Sequence, residues 1–326
     1  MKKILLFTTG GTISCSGFEG LSPQKTGEEL LQSAGIDLPG CEVDVENLFS
    51  IDSTEVQPFH WTILRNAVLN NMDAYNGFVI THGTDTLAYT SSMLSYLCGS
   101  LSKPVVLTGS QRTLDEPNSD APVNLRDALL VALSGLSGIF AVFGGRILLG
   151  TRTHKADTQR LDGFTSINYP VIGTVENGAV KVAQEPPVLR PVERVGRLNA
   201  KIAVVSVSPG TPGDILDGLK ECGIQGVILR GYGAGGLPEG LGWLESAKRA
   251  VGRGLTLLMT TQSRNGRVDL ERYRVGIAAR EAGVLSGHDM TLEAAYTKLL
   301  WIRSITGDPN KIQEMLQTNY CGEVTL

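Results

Sequence analysis

Short apolar runs of strand length alternate along this chain with stretches of helical pattern, and that alternation constrains the fold more than any other feature. Ile4-Leu5-Leu6-Phe7, Phe78-Val79-Ile80, Pro104-Val105-Val106-Leu107-Thr108 and Ile139-Phe140-Ala141-Val142-Phe143 read as strands. Residues 85–98 read as a helix with Leu87, Leu94 and Cys98 on one face, and Pro122 opens another over 123–134, because proline is tolerated in a helix's first turn. Strand–helix alternation predicts an α/β fold with a parallel sheet covered on both faces.

At 326 residues and 42% hydrophobic content the chain can bury two ordinary cores. The composition changes between Glu185 and Arg197, to Glu-Pro-Pro-Val-Leu-Arg-Pro-Val-Glu-Arg-Val-Gly-Arg, where three prolines remove backbone donors and favour extended chain. Residues 185–198 are therefore expected to link an N-terminal domain, 1–184, to a smaller α/β domain, 199–326. In the latter the alternation restarts with strands at 202–207, 226–229 and 255–259 and helical pieces from Asp214 and over 241–251.

Two of the strand runs end in threonine-glycine signatures, Thr9-Gly10-Gly11-Thr12-Ile13 and Thr81-His82-Gly83-Thr84-Asp85-Thr86. Hydroxyls and a carboxylate then project from the carboxyl edge of the sheet, where open α/β sheets bind ligands. Glycines at strand ends also mark ordinary turns, and Asp85 also suits a helix start. Neither signature is followed by Gly-Lys-Ser/Thr or forms a GxGxxG opening a helix, so neither supports a nucleotide site. Thr151-Arg152-Thr153-His154-Lys155 follows the strand-like Arg146-Ile147-Leu148-Leu149; Lys155 is either a solvated charge or, if buried beside Asp85, a proton carrier for Thr84.

A net charge of −4 without blocks of like charge offers nothing to nucleic acid or an anionic membrane surface. Met1-Lys2-Lys3 precedes only four apolar residues, too few for a signal-peptide core, and no later run approaches a membrane span, so a cytoplasmic location is expected. The five cysteines lack CxxC spacing, and His60, His82 and His288 lack HxxxH spacing, so neither a disulfide framework nor a metal site is predicted. Asp115, Glu116 and Asp120 read as a solvated acidic turn around Pro117 and Asn118.

Together these segments resemble the bacterial L-asparaginase family, its cytoplasmic type I branch more than its periplasmic one. The resemblance is carried by the two threonine-glycine signatures, Asp52-Ser53, Leu107-Thr108-Gly109-Ser110, Asn124-Leu125-Arg126-Asp127-Ala128, Arg152-Thr153-His154-Lys155, Tyr232-Gly233-Ala234-Gly235 and Gly266-Arg267-Val268-Asp269-Leu270. It runs in order from Ile4 to about Gly307.

The resemblance implies a larger flavodoxin-like N-terminal domain with a smaller α/β one, and a homodimer or homotetramer. It also implies hydrolysis of L-asparagine to L-aspartate and ammonia without metal or organic cofactor. On these positions Thr12 is the implied nucleophile, forming a β-aspartyl ester, with Thr84, Asp85 and Lys155 as a supporting triad. A threonine hydroxyl is a poor nucleophile unless a neighbouring base or relay takes its proton. Ser53, with Thr54 beside it, and the backbone at Gly11 are implied for the substrate α-carboxylate, and Asp85 for its α-ammonium. Backbone donors near Gly83, Thr84 and Ser110 are implied for the oxyanion.

The chain also departs from the family pattern. Gly20-Leu21-Ser22-Pro23 puts Leu21 where the family usually has a tyrosine over the nucleophile, leaving three routes for the first proton. These are Tyr232 from the second domain, Ser14 or Ser16 through water, and Lys155 through both threonines, the one we favour. Gly236 stands where an asparagine often completes the neighbouring subunit's ammonium site, so preference between asparagine and glutamine is left open. His154 replaces a threonine tied to allostery in some type I relatives. Two other functions fit the same fold: an ammonia-generating amidotransferase subunit, and an amino-acid sensor without turnover.

Overall fold

A computed structural model of the protein describes residues 1–16 and 22–325. The chain divides into two compact units, Met1–Val192 and Glu193–Leu326. Strands of the first are β1 (Lys2–Gly10), β2 (Cys15–Ser16), β3 (Ser22–Pro23), β4 (Cys41–Ile51), β5 (Gly77–Thr81), β6 (Pro104–Thr108), β7 (Gly138–Phe143), β8 (Arg146–Leu149), β9 (Thr153–Lys155), β10 (Phe164–Ser166), β11 (Gly173–Glu176) and β12 (Ala179–Val182). Its helices are α1 (Gly27–Ser33), α2 (Pro58–Asn70), α3 (Leu87–Cys98) and α4 (Ala121–Ala132).

The main sheet has the order β12-β11-β8-β7-β6-β5-β1-β4. From β4 to β7 every pairing is parallel. After β1 the chain goes to β4 on one side and then crosses to β5 on the other, so the carboxyl end of β1 lies where the strand order reverses. Such a switch point opens a crevice between the flanking connections.

Alternate residues of the central strands feed two cores. Ile4, Leu6, Val79 and Val106 meet Leu125, Ala128 and Leu129 of α4. Leu5, Phe7, Phe78, Ile80, Val105 and Leu107 meet Leu64 and Val68 of α2 and Leu87 and Leu94 of α3. Each such side chain contributes about 2 kcal/mol of burial free energy, which is why these strands are apolar without interruption.

The parallel run stops at β7. Gly144 and Gly145, at φ 57° and 71°, turn the chain in two residues so that Phe143 pairs with Arg146, and β8, β11 and β12 continue the sheet antiparallel. Two positive φ values in succession favour glycine strongly and suit the twist of a tight hairpin.

The second unit holds β13 (Ile202–Ser206), β14 (Gly226–Gly231), β15 (Thr256–Thr261) and β16 (Leu285–Ser286), with α5 (Ile215–Glu221), α6 (Trp243–Gly252), α7 (Arg274–Glu281), α8 (Leu292–Ile305) and α9 (Pro309–Gln317). Its four strands are parallel and in sequential order. Val205, Leu229, Leu257 and Met259 pack with Trp243, Ala247 and Ala250 of α6, while α8 lies against β13, β14 and β15. Beneath α8 the fully buried Lys298 and Glu323 form a 2.7 Å ion pair. Lys298 Nζ also donates to the carbonyls of Leu316 and Thr318, and Glu323 accepts from the amides of Tyr320 and Cys321.

No helix or strand interrupts the proline-rich stretch between Val182 and Ile202. Its first half docks on unit 1, where Ser100 Oγ donates to Leu189 O. Its second half docks on unit 2, where Trp301 Nε1 donates to Glu193 O and Lys311 pairs with the Glu193 carboxylate at 2.9 Å. Among the described residues no helix is long and apolar enough to cross a membrane.

Candidate active site

The two threonine-glycine signatures meet backbone to backbone. Gly11, at φ 78° and ψ 177°, lies so close to the second signature that an added Cβ would stand 2.3 Å from both N and Cα of Gly83. Gly83 in turn has no room for a Cβ because Ser53 Cβ and Oγ would each be 2.6 Å away, and at Gly109 a Cβ would meet His82 O at 2.3 Å. Three chain segments, ending β1, β4 and β5, thereby converge at the switch point, with the turn after β6 beside them.

Thr12 begins a single 3-10 turn, Thr12–Ser14, directly after Gly11. Its hydroxyl is partly buried, and among the described residues it makes no hydrogen bond. The nearby Cys15 thiol is no rival nucleophile, because burial, helped by the charge of Asp52, pushes its titration up.

Lys155 is the centre of the polar cluster. Its ammonium donates to Thr84 Oγ1 at 2.8 Å and to Asp85 Oδ1 at 2.6 Å. The lysine side chain is 16% exposed and that of Asp85 54%. Lys155 arrives by an indirect path. Gly150, after β8, accepts from Ser91 Oγ in the middle of α3, and β9 then runs back to the turn ahead of that helix.

The expectation that α3 begins at Asp85 needs correction. The helix starts at Leu87 with Thr86 as its cap residue, and Asp85 sits in the preceding turn, where the Lys155 ammonium offers a stronger partner than unpaired helix amides. Thr86 Oγ1 instead donates to Ser53 O at 2.7 Å, tying the second signature to the end of β4.

Ser53 is buried, while the exposed Thr54 gives its hydroxyl hydrogen to Asp52 Oδ1 at 2.6 Å. That hydrogen bond, the Thr54 amide and the charge of Lys155 hold the Asp52 carboxyl below its usual range against the opposing effect of burial. Ser110 is fully buried and its hydroxyl hydrogen is given to Arg112 O.

The acidic turn after Ser110 also differs from expectation. Asp115 is exposed and pairs with Lys25 at 2.8 Å, but Asp120 is buried and accepts from the amides of Gln111 and Arg112 and from Asn124 Nδ2. Asn124 Nδ2 also donates to Gly109 O. Asp120 is thus the organiser of the Ser110 loop rather than a solvated charge. Its partners are mostly backbone amides, which leave no trace in side-chain pattern.

Of the residues singled out in the sequence, Gly11, Thr12, Ser53, Thr54, Gly83, Thr84, Asp85, Ser110 and Lys155 lie on these converging segments. Leu21, the departure at the tyrosine position, lies outside the described residues. Ser16 Oγ donates to Gln24 Oε1 and Ser14 Oγ is turned to Gly10 O. Among the described residues no group of three His, Cys, Asp or Glu side chains is arranged to hold a metal ion.

The fold and site define a class: a two-unit α/β protein with a threonine hydroxyl on the segment next to a threonine–lysine–aspartate cluster at the sheet's switch point. Comparison with known proteins gives the family. Residues 3–188 match the asparaginase N-terminal domain and residues 201–316 the glutaminase/asparaginase C-terminal domain. The chain belongs to the asparaginase family. It is 41% identical over 332 residues to an L-asparaginase of Thermococcus kodakarensis, covering 99% of both chains. A solved structure of the thermostable L-asparaginase from that organism superposes with a TM-score of 0.92 at 40% identity, covering 99% of each. The chain is also 35% identical over 337 residues to one of the subunits of the glutamyl-tRNA(Gln) amidotransferase of Pyrococcus furiosus, covering 99% of this chain and 76% of that one.

Proposed function

We propose that the protein hydrolyses the side-chain amide of L-asparagine to give L-aspartate and ammonia, with Thr12 as nucleophile. The observation that carries this reading is the Lys155 ammonium bonded to both Thr84 and Asp85, on a turn whose Gly83 abuts the residue before Thr12. Thr12 Oγ adds to the amide carbon, and its proton is relayed through Thr84 and Lys155 to the departing ammonia. Water then adds to the β-aspartyl ester, releasing aspartate and restoring the Thr12 hydroxyl.

Two observations favour Lys155 over the serine routes. The Ser14 and Ser16 hydroxyls are turned to other acceptors, and Lys155 already touches Thr84. Asp85 Oδ1 is taken by Lys155, which leaves its second oxygen for the substrate α-ammonium. Ser53 and the Gly11 backbone serve the α-carboxylate, and amides at Thr84 and Ser110 the oxyanion. The assembly is a homodimer or homotetramer.

Ammonia release from asparagine and glutamine, measured for wild type and Thr12→Ala, tests the reading. Loss of turnover by a factor of about 1,000 or more in a folded Thr12→Ala variant supports it; full retention overturns it. The similarity to an amidotransferase chain favours a second reading, in which ammonia is delivered to a partner chain. Turnover of free asparagine by the purified protein alone, at rates unaffected by any added partner, rejects that alternative.

A further inference from the structure

His82 is fully buried at the end of β5 and belongs to a chain of hydrogen bonds whose direction is fixed by chemistry. Its Nδ1 lies 2.8 Å from Gly83 O. A carbonyl oxygen only accepts, so Nδ1 carries the proton. Nε2 of the neutral ring is then a bare acceptor, 3.0 Å from Thr90 Oγ1, which must donate to it. Thr90 Oγ1 in turn accepts from Trp61 Nε1, a donor only, at 2.9 Å. Every hydrogen therefore points the same way, from Trp61 to Thr90 to His82 to the Gly83 carbonyl. Burial holds the imidazole down to about 4, so the ring is neutral at pH 7, as this order requires.

The end of that chain bears on the site. The Gly83–Thr84 peptide is trans, and in a trans peptide the C=O and the following N–H point in opposite directions. With Gly83 O drawn inward to His82, the Thr84 N–H is directed outward, and among the described residues it meets no acceptor.

We propose that His82 is a positioning residue: its Nδ1–H holds the Gly83 carbonyl inward and so aims the Thr84 amide N–H at the substrate carbonyl oxygen as it becomes an oxyanion. This rests on the amidase reading of the same site. His82 does not touch substrate. Its effect falls on the transition state, where an oriented backbone donor gains strength as negative charge develops.

Asparagine and glutamine side chains at position 82 separate the two ring nitrogens, because an Asn amide nitrogen overlays Nδ1 and a Gln amide nitrogen overlays Nε2. His82→Asn is expected to keep kcat within about threefold of wild type, and His82→Gln to lower it about 10- to 100-fold with KM nearly unchanged, less than loss of an oxyanion donor outright. In wild type, 15N NMR of labelled histidine is expected to show one ring in the Nδ1–H tautomer that stays neutral at pH 6. Should the Gln variant not fold, Thr90→Val and Thr90→Ser repeat the comparison, Val lowering kcat and Ser restoring it. Equal kcat in the Asn and Gln variants, a loss confined to KM, Val and Ser acting alike, or an Nε2–H tautomer would each overturn the inference. Thr12→Ala assayed alongside keeps the failures apart: if it still turns over asparagine, the amidase reading fails. If it is inactive while the two His82 variants behave alike, only the role of His82 fails.

Discussion

Gly11 and Gly83 touch through their backbones, with 2.3 Å between the Cα of Gly83 and the place a Cβ on Gly11 would occupy. No side chain can be inserted there without parting the strand end that carries Thr12 from the turn that carries Thr84. The φ of 78° with ψ of 177° at Gly11 adds a backbone conformation that is essentially restricted to glycine.

Gly11→Ala is accordingly expected to lower kcat at least about 100-fold, since a displacement of about 1 Å between reacting groups has that effect. Ammonia release kinetics on the folded fraction, with a thermal melt to measure that fraction, check it. Wild-type kcat in the alanine variant would contradict the contact.

Removing the ammonium at position 155 should separate catalysis from stability. Lys155→Met is expected to reduce kcat by about 10² to 10⁴, the usual range for a positioned proton carrier, and to move Tm little. The Asp85 side chain is more than half exposed, so solvent screens what the ion pair adds to folding.

The buried neutral His82 predicts an acid-side loss of stability. Its folded-state titration is lowered from 6.5 to about 4, so below pH 6.5 the unfolded chain takes up a proton that the native ring refuses. Stability from this group is intact above about pH 6.5 and is lost progressively as pH falls to about 4, by about 3 kcal/mol in total. Urea unfolding across that window measures it. In His82→Asn this component of the slope should vanish.

Lys298 and Glu323 supply a prediction far from the chemistry. Lys298→Met leaves the Glu323 carboxylate buried and unpaired, and is expected to cost about 3–5 kcal/mol in unfolding free energy. Pairing it with Glu323→Gln should recover much of that loss, because the remaining group is then uncharged. Chemical denaturation of the single and double variants gives the coupling.

How much of the molecule is legible in its sequence follows from where each residue finds its partners. β1, β5 and β6 are readable because burial on both faces makes them uninterrupted apolar runs, and their Thr-Gly ends mark the site. β4 is not, since Cys41–Ile51 carries Glu42, Asp44 and Glu46 on an edge strand with one side open to water. Lys155 is legible as one of two readings, a solvated charge or a proton carrier, and the resemblance chooses between them; nothing local says that a polar run after β8 turns back along α3. Asp85 reads as part of the helix because the partner that claims it lies far along the chain. His82 looks ordinary because its role depends on tautomer and peptide orientation, which a one-dimensional string does not carry.

The return of β9 along α3 has a consequence for how the protein matures. The contact from Lys155 to Asp85 spans 70 residues and depends on the chain reversal at the glycine hairpin. Loop closure over such a span is slow compared with the formation of local helices. On dilution from denaturant, helical circular dichroism should therefore return before hydrolytic competence does, and catalysis itself becomes a stopwatch for the last long-range step of folding in the first unit.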